Sequence, residues 1–200
     1  MMVKICGITN WEDALAAVEA GASAIGFNFY RESPRYISHT GAALITERIP
    51  SHVWKVGVFV NELPETIAKI MIDAGLDVAQ LHGLSVARGV RVWRALSAFD
   101  PRLSDFSEPV EALLLDSSAD SATGGTGESW RWRPMPWMKP KVIVAGGLDA
   151  DNVRTAIEQA QPWGVDACSR IEKSPGLKDH DKMRRFIQAA LNTSTHATSH

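Results

Sequence analysis

The chain has 200 residues, a formal net charge of −2 and a hydrophobic fraction of 45%. This composition is typical of a soluble globular protein, and it predicts neither a basic nucleic-acid-binding surface nor an acidic disordered tail. The apolar runs are far shorter than the roughly 20 residues that cross a bilayer, and the N-terminus lacks the layout of a signal peptide. Two cysteines make neither a disulfide framework nor a zinc motif. We therefore expect a reduced cytoplasmic protein with no metal site, no membrane contact and no nucleic-acid partner.

Eight apolar, β-branched runs recur along the chain and predict eight strands. They are residues 2–6, 24–29, 54–60, 77–81, 91–97, 111–116, 141–146 and 164–169. Several are apolar almost throughout, which is typical of parallel strands that are covered on both faces.

Helical patterns fill several of the intervals between these runs. Thr9 and Glu12 have the spacing of a capping box, which predicts a first helix that Gly21 ends. Pro64 can open a later helix and Asp149 can cap another. The predicted buried positions of the four clearest helices are Trp11, Leu15 and Val18; Ile67, Ile70 and Met71; Val153, Ala156 and Ile157; and Met183, Phe186, Ile187, Ala190 and Leu191.

Two intervals are poor in helix signals. Residues 99–109 contain two prolines and residues 130–140 contain three. We expect a short or missing fifth helix and a distorted sixth, with Trp130, Trp132 and Trp137 packing the sixth unit against the rest of the fold.

Alternating strands and helices over residues 1–191 predict a single compact (β/α)8 barrel, a TIM barrel, followed by a frayed polar tail at residues 192–200. Eight units in 200 residues leave about 25 residues each, which is compact for a fold that usually takes about 250. A doubly wound open sheet is the alternative. However, no GxGxxG follows the first predicted strand, and polar residues of interest follow many strands instead of one switch point.

In a barrel the carboxyl ends of all strands open onto one face, which holds the active site. The candidate residues at that end are Cys6, Arg35, Asn61, Gln80, His82, Asp116, Gly146, Gly147, Ser169 and Arg170. A thiol, a carboxylate, a guanidinium and two backbone-rich turns would then converge on one pocket. Singly, each has a plainer explanation, such as a buried apolar cysteine or a surface arginine.

The turns VAGGL (144–148) and CSRIE (168–172) follow the seventh and eighth predicted strands. Barrels commonly bind phosphate in these two loops, where backbone N–H groups and a helix N-terminus face the anion. The sequence therefore predicts a phosphate site formed by Gly146, Gly147, Ser169 and Arg170, and a small phosphorylated molecule as the ligand.

Together these features are recognisable. The segments VKICGITN, SPRYIS, VGVFVN, QLHG, LLLDSS, GGTG, AGGLDADNV and IEKSPGLKDHDKM, in this order and spacing, resemble the phosphoribosylanthranilate isomerases of tryptophan biosynthesis. The resemblance runs from Met2 to about Leu191. It implies a (β/α)8 barrel without a cofactor and an Amadori rearrangement of an N-phosphoribosyl aminobenzoate to its open-chain aminoketose.

The resemblance also implies roles for single residues. Asp116 would be the general acid and Cys6 the general base, Arg35 would bind the substrate carboxylate, and the two turns would bind the 5′-phosphate. Physically, Asp116 must keep its proton far above the usual carboxyl pKa of about 4, and Cys6 needs a positive surrounding that lowers its pKa. The N-terminus of the first helix is the nearest such surrounding that the sequence suggests.

Two other functions remain open. The histidine-pathway isomerase runs a similar reaction on a similar barrel, but it uses two aspartates and binds a second phosphate, for which VNELPE offers no small-residue cradle. A barrel that binds a phosphorylated ligand without turning it over is the other, and the presence of both Cys6 and Asp116 argues against it. Either a monomer or a homodimer is compatible with the resemblance.

Three further expectations concern the loops. Asn61, Gln80 and His82 either line the pocket or brace it, with bracing favoured. Residues 116–129 are too long and polar for a tight loop and predict a mobile lid. Where many relatives read Ser-Ser-Gly, this chain has Cys168-Ser169-Arg170, and we expect residue 170 to keep a negative φ in a helical turn.

Overall fold

The computed structural model describes residues 1–116, 134–136 and 138–193. Eight parallel strands pair in sequence order and close into a barrel, because the last strand pairs with the first. The strands are β1 (Met2–Ile5), β2 (Ala24–Asn28), β3 (Trp54–Val60), β4 (Val78–His82), β5 (Arg91–Ser97), β6 (Ala112–Asp116), β7 (Lys141–Ala145) and β8 (Gly164–Ala167). The predicted (β/α)8 barrel is confirmed, and the open sheet is wrong.

Five α-helices surround the described part of the barrel. They are α1 (Trp11–Glu19), α2 (His39–Thr46), α3 (Pro64–Asp73), α4 (Val153–Ala160) and α5 (His180–Thr193). A short 3₁₀ helix, Pro101–Asp105, follows β5, which confirms the short fifth helix. The sequence signals did not indicate α2. They also did not indicate that the interval between β4 and β5, residues 83–90, lacks a helix.

Several expectations fall on residues 117–133, 137 and 194–200, which lie outside the described residues. They are the lid, the distorted sixth helix and the packing of Trp130, Trp132 and Trp137. The frayed tail likewise stays a prediction, although α5 runs to Thr193, two residues beyond the predicted boundary. Within the described residues, no helix has the length and apolarity needed to cross a membrane.

The N-terminal cap of α1 lies one residue later than the sequence predicted. Asn10 Oδ1 accepts from the backbone N–H of Asp13 at 2.8 Å, and Asn10 Nδ2 donates to the Asp13 carboxylate at 2.9 Å. The capping box between Thr9 and Glu12 is therefore wrong. The hydroxyl of Thr9 instead donates to the carbonyl of Gly176, which ties this loop to the segment after β8.

The buried face of α1 also differs from the prediction. Trp11 and Val18 are half-buried and pack against the core as predicted, but Leu15 is exposed, and the fully buried residues are Ala14 and Ala17. Small residues let this helix lie close to the barrel. The predicted faces of the other three helices are confirmed, with Ile70 and Leu191 half-buried and the remaining positions buried: Ile67, Met71, Val153, Ala156, Ile157, Met183, Phe186, Ile187 and Ala190.

Three tryptophans fill the amino end of the barrel. Trp54 opens β3, Trp163 immediately precedes β8, and both rings pack against Trp93 of β5 with centroids 5.5 and 6.0 Å away. Trp93 is fully buried. This end of the barrel is a packed apolar plug, so the polar residues of interest lie at the opposite, carboxyl end.

Candidate active site

Cys6 directly follows β1 and continues its pairing with β8. Ile5 lies opposite Ala167 in the strand register, and the backbone N–H of Cys6 donates to the Ala167 carbonyl at 3.0 Å. Cys168 is therefore the neighbour of Cys6 on the adjacent strand end. A hydrogen bond between the two thiols lowers the pKa of Cys6 well below its ordinary value and raises the pKa of Cys168.

An ion pair lies inside the barrel directly below these thiols. Lys4 and Asp166 are opposite each other in the register of β1 and β8, with Nζ 2.9 Å from Oδ1 and the lysine side chain fully buried. Burial raises the pKa of Asp166 to about 7. Burial lowers the pKa of Lys4, but the negative charges of Asp166 and Cys6 outweigh this effect and raise it.

After the Cys168 hydrogen bond, the charge of Lys4 is the strongest influence that lowers the pKa of Cys6. A side chain on the same strand, two residues before the thiol, thus supplies the positive surrounding that the sequence assigned to the first helix. Residues two apart on a strand share a face, so Lys4 and Cys6 both point into the barrel.

A second set of charges flanks Cys168. The guanidinium of Arg35 forms a forked pair with Glu172, whose carboxylate also accepts from Lys178 Nζ at 2.8 Å. The same Nζ lies 3.7 Å from the sulfur of Cys168. Burial would raise the pKa of Glu172, but Arg35 and Lys178 together lower it.

The backbone and the close neighbours of residue 7 explain why a glycine follows Cys6. The φ of Gly7, +73°, favours glycine, and a β-carbon at this position would lie 2.7 Å from Cδ of Arg35 and 3.0 Å from Sγ of Cys168. A side chain here would displace both neighbours. Gly7 therefore allows the guanidinium and the second thiol to reach the end of β1.

Asp116 ends β6 and lines a cavity of about 430 Å³ together with His82 and Ser97. The pKa of His82 is lowered, chiefly by burial and also by the charge of Lys4, and the negative groups Cys6 and Asp116 offset this only in part. Cys6 follows β1 and Asp116 ends β6, so both lie at the carboxyl end of the barrel.

Asn61 joins the loops after β3 and β4, while Gln80 and His82 contact each other at the end of β4. Gln80 is 2% exposed, and its Nε2 lies 2.9 Å from Nε2 of His82. Its Oε1 receives no hydrogen bond from the described residues. Asn61 has a φ of +50°, and its Oδ1 accepts from the N–H of Leu84 at 2.9 Å, which joins the two loops.

The loops after β7 and β8 are joined by a side-chain contact, and phosphate binding there stays a prediction. Gly146 and Gly147 have φ values of +88° and +63°, which glycine adopts without strain. The side chain of Arg170 bridges the two loops, because its Nη1 lies 3.1 Å from Oδ2 of Asp149 and its Nε passes 3.9 Å from the β-carbon position of Gly147.

Residue 170 has the backbone that the sequence predicted. Residues Ser169–Ile171 form a 3₁₀ turn. Among the described residues, the non-glycine residues with positive φ are Asn61 and Gln161, so Arg170 has an ordinary negative φ. The exposed side chain turns toward Asp149, and the direction of its N–H toward an anion stays a prediction.

Comparisons with known proteins identify the family of the chain. Residues 3–189 match the family model described as N-(5′-phosphoribosyl)anthranilate isomerase. The chain belongs to this family. A curated relative of that name from Solibacter usitatus is 49% identical over 197 residues, which are 95% of this chain and 97% of the relative. Members are isomerases, and this chain is accordingly an enzyme.

Solved structures of the family share the fold. The crystal structure of phosphoribosyl anthranilate isomerase from Thermotoga maritima is 38% identical, with a TM-score of 0.85 over 96% of this chain and 99% of that chain. Another isomerase structure, in complex with reduced 1-(o-carboxyphenylamino)-1-deoxyribulose 5-phosphate, is 36% identical, with a TM-score of 0.78 and the same coverage.

Sequence reasoning missed four charged residues that surround the thiols. They are Lys4, Asp166, Glu172 and Lys178. A signal did exist for the first pair, since each is the single charge in an otherwise apolar predicted strand, which indicates a residue that points into the barrel and needs a partner. Nothing in the sequence indicated that Glu172 and Lys178 converge on Arg35 and Cys168.

Proposed function

We propose that this isomerase of tryptophan biosynthesis converts N-(5-phosphoribosyl)anthranilate to 1-(2-carboxyphenylamino)-1-deoxyribulose 5-phosphate, with Asp116 as general acid and Cys6 as general base. The main support is the placement of a thiol with a lowered pKa after β1 and a carboxyl group at the end of β6. These strands are separated by β7 and β8 on the short way round the barrel. The two groups can thus reach opposite sides of one sugar.

Each of the two groups acts once, Asp116 as the protonated acid and Cys6 as the thiolate base. Protonated Asp116 donates to the ring oxygen, the C1′–O bond breaks, and the ring opens to an iminium ion. The positive charge acidifies the C2′–H bond, and the thiolate of Cys6 removes that proton. The resulting enolamine tautomerises to the aminoketose.

The surroundings of Cys6 support its role as a base. An ordinary cysteine has a pKa of about 8.5 and is only a few per cent thiolate at neutral pH. The hydrogen bond from Cys168 and the buried charge of Lys4 both favour the thiolate. Both groups are fixed by strand pairing, so the charge is stabilised before the substrate arrives.

Arg35 and the two turns would hold the ends of the substrate. Glu172 contacts the Nε and Nη2 atoms of Arg35, so the Nη1–Nη2 edge can still receive the planar anthranilate carboxylate. The 5′-phosphate would lie against the turns at Gly146, Gly147, Ser169 and Arg170. The sugar would then be placed between Cys6 and Asp116.

The test is direct turnover. Substrate is made in situ from anthranilate and phosphoribosyl pyrophosphate, and its conversion is followed by chromatography. We expect Cys6→Ala and Asp116→Asn each to lower kcat by at least about 100-fold, while KM changes far less. Near-wild-type turnover by Cys6→Ala would remove the thiol from the mechanism, and no turnover by the wild type would remove the substrate assignment.

A further inference from the structure

The only two cysteines of the 200-residue chain lie side by side. β1 and β8 are parallel, their register ends with Ile5 opposite Ala167, and Cys6 and Cys168 are the next residues along the two chains. Neighbouring strands are about 4.8 Å apart, which is within the range of about 4.4–6.8 Å between the Cα atoms of a disulfide. Each thiol also shifts the pKa of the other, downward for Cys6 and upward for Cys168. The backbone therefore places the two thiols where a disulfide can form.

Two glycines give these sulfurs room. A β-carbon at Gly26 would lie 2.9 Å from Sγ of Cys6, and one at Gly7 would lie 3.0 Å from Sγ of Cys168. Because both positions lack side chains, the two sulfur atoms can occupy these places at the end of the barrel.

The surroundings favour reaction at a thiolate. Cys6 lies above Lys4, and Cys168 lies 3.7 Å from Nζ of Lys178 and near the guanidinium of Arg35. Reactive cysteines are found in such electropositive, partly accessible surroundings. Cys168 is the partly exposed member of the pair, so an external oxidant or thiol can reach the site.

We propose that Cys6 and Cys168 form a reversible intrachain disulfide, and that this bond switches the isomerase off. The formation of the disulfide does not depend on the proposed reaction. The switch rests on the proposed role of Cys6 as general base, because a sulfur held in a disulfide cannot accept a proton.

A hydroperoxide supplies the oxidising equivalents. The Cys6 sulfur attacks the peroxide, and the S–O bond forms as the O–O bond breaks. An alcohol, or water in the case of hydrogen peroxide, leaves with the thiol proton, which gives a sulfenic acid. The sulfur of Cys168 then attacks Cys6, and the S–S bond forms as hydroxide leaves with the Cys168 proton as water. Two thiols are oxidised and one hydroperoxide is reduced by two electrons. A dithiol reverses the bond by thiol–disulfide exchange.

The experiment treats the purified full chain with hydrogen peroxide and counts free thiols after denaturation. We expect two free thiols before treatment and none after it, an unchanged single-chain mass on a non-reducing gel, and an intact mass lower by two hydrogens. A non-reducing digest should contain the Cys6 and Cys168 peptides joined. Activity should fall by at least about 100-fold, as for loss of the general base, and dithiothreitol should restore it.

Cys168→Ser is the matched variant, and each protein is compared with its own untreated sample. Without a resolving thiol, the sulfenic acid at Cys6 proceeds to sulfinic and sulfonic acids, so dithiothreitol should restore little activity. Two free thiols in the treated wild type, or a disulfide that joins two chains, would overturn the proposal whether or not the variant folds. An intrachain disulfide with undiminished activity would retain the site and overturn both the switch and the role of Cys6 as base.

Discussion

Arg35 and Glu172 form a forked ion pair at the carboxyl end of the barrel, with Nε 2.9 Å from Oε1 and Nη2 2.7 Å from Oε2. The pair joins the loop after β2 to the segment after β8. It fixes the plane of the guanidinium before any substrate binds, so a planar carboxylate meets an oriented fork.

Replacing Arg35 by lysine should therefore impair catalysis even though the charge is kept. A lysine cannot pair with Glu172 and a substrate carboxylate at once in this geometry. Loss of one charged hydrogen bond corresponds to roughly 10-fold to 100-fold in kcat/KM, with KM raised. Steady-state kinetics measures this, and Arg184→Lys, at an exposed pair with Asp181, is the control with unchanged kinetics. Equal activity of Arg35→Lys would remove Arg35 from the carboxylate site.

The variant Glu172→Gln tests the charge network around Lys178 through the free energy of unfolding. The ammonium group of Lys178 is fully buried and would lose its carboxylate partner, which typically costs about 3–5 kcal/mol. Glu111→Gln is the matched control, because Glu111 pairs with two exposed cations, Arg91 and Lys141, and such surface pairs are worth at most about 1 kcal/mol. Urea unfolding of both variants gives the two free energies. A smaller loss for Glu172→Gln than for Glu111→Gln would contradict the network.

The lowered pKa of Cys6 predicts a pH profile. Alkylation by iodoacetamide follows the thiolate, so its rate should rise with pH through a midpoint below the ordinary thiol value of about 8.5. Cys168→Ser and Cys168→Ala both leave Cys6 as the only thiol. The serine variant keeps a hydrogen-bond donor and the alanine variant does not, so the midpoint should be higher in Cys168→Ala. Equal midpoints would mean that Cys168 does not stabilise the thiolate.

The strand order, the barrel and the faces of three helices could be predicted because they depend on periodic burial, which the sequence displays directly. The cap of α1 was misplaced because Thr9-x-x-Glu12 and Asn10-x-x-Asp13 overlap in one stretch, and only the contact from Thr9 to Gly176 decides between them. Lys4 and Asp166 each stood out as a lone charge, but their pairing beneath Cys6 could not be predicted, for a related reason. Lys4 and Asp166 are 162 positions apart, and closure of the barrel brings them together.

Arg170 offers a test of the phosphate site. Its exposed side chain contacts Asp149 rather than the interior, so its main contribution should be the backbone N–H, with the guanidinium flanking the anion. Arg170→Ala should raise KM a few-fold and leave kcat nearly intact, as expected for uniform binding. Asp149→Asn frees the guanidinium and should leave KM unchanged or lower it. A fall in kcat with unchanged KM in Arg170→Ala would contradict this arrangement.

Gly7 and Gly89 provide a matched pair for the last test. Both have nearly the same left-handed backbone, with φ values of +73° and +72°, but a β-carbon at Gly89 meets no atom within 4 Å. Gly89→Ala therefore measures the backbone penalty alone, on the order of 1 kcal/mol of unfolding free energy. Gly7→Ala adds the collision with Cδ of Arg35 at 2.7 Å, so it should be the more destabilising variant, and it should also raise KM by moving the guanidinium. Urea unfolding and steady-state kinetics of the two variants separate these effects. If Gly7→Ala and Gly89→Ala lose the same stability and both keep the wild-type KM, the close approach of Arg35 to the end of β1 has no part in substrate binding.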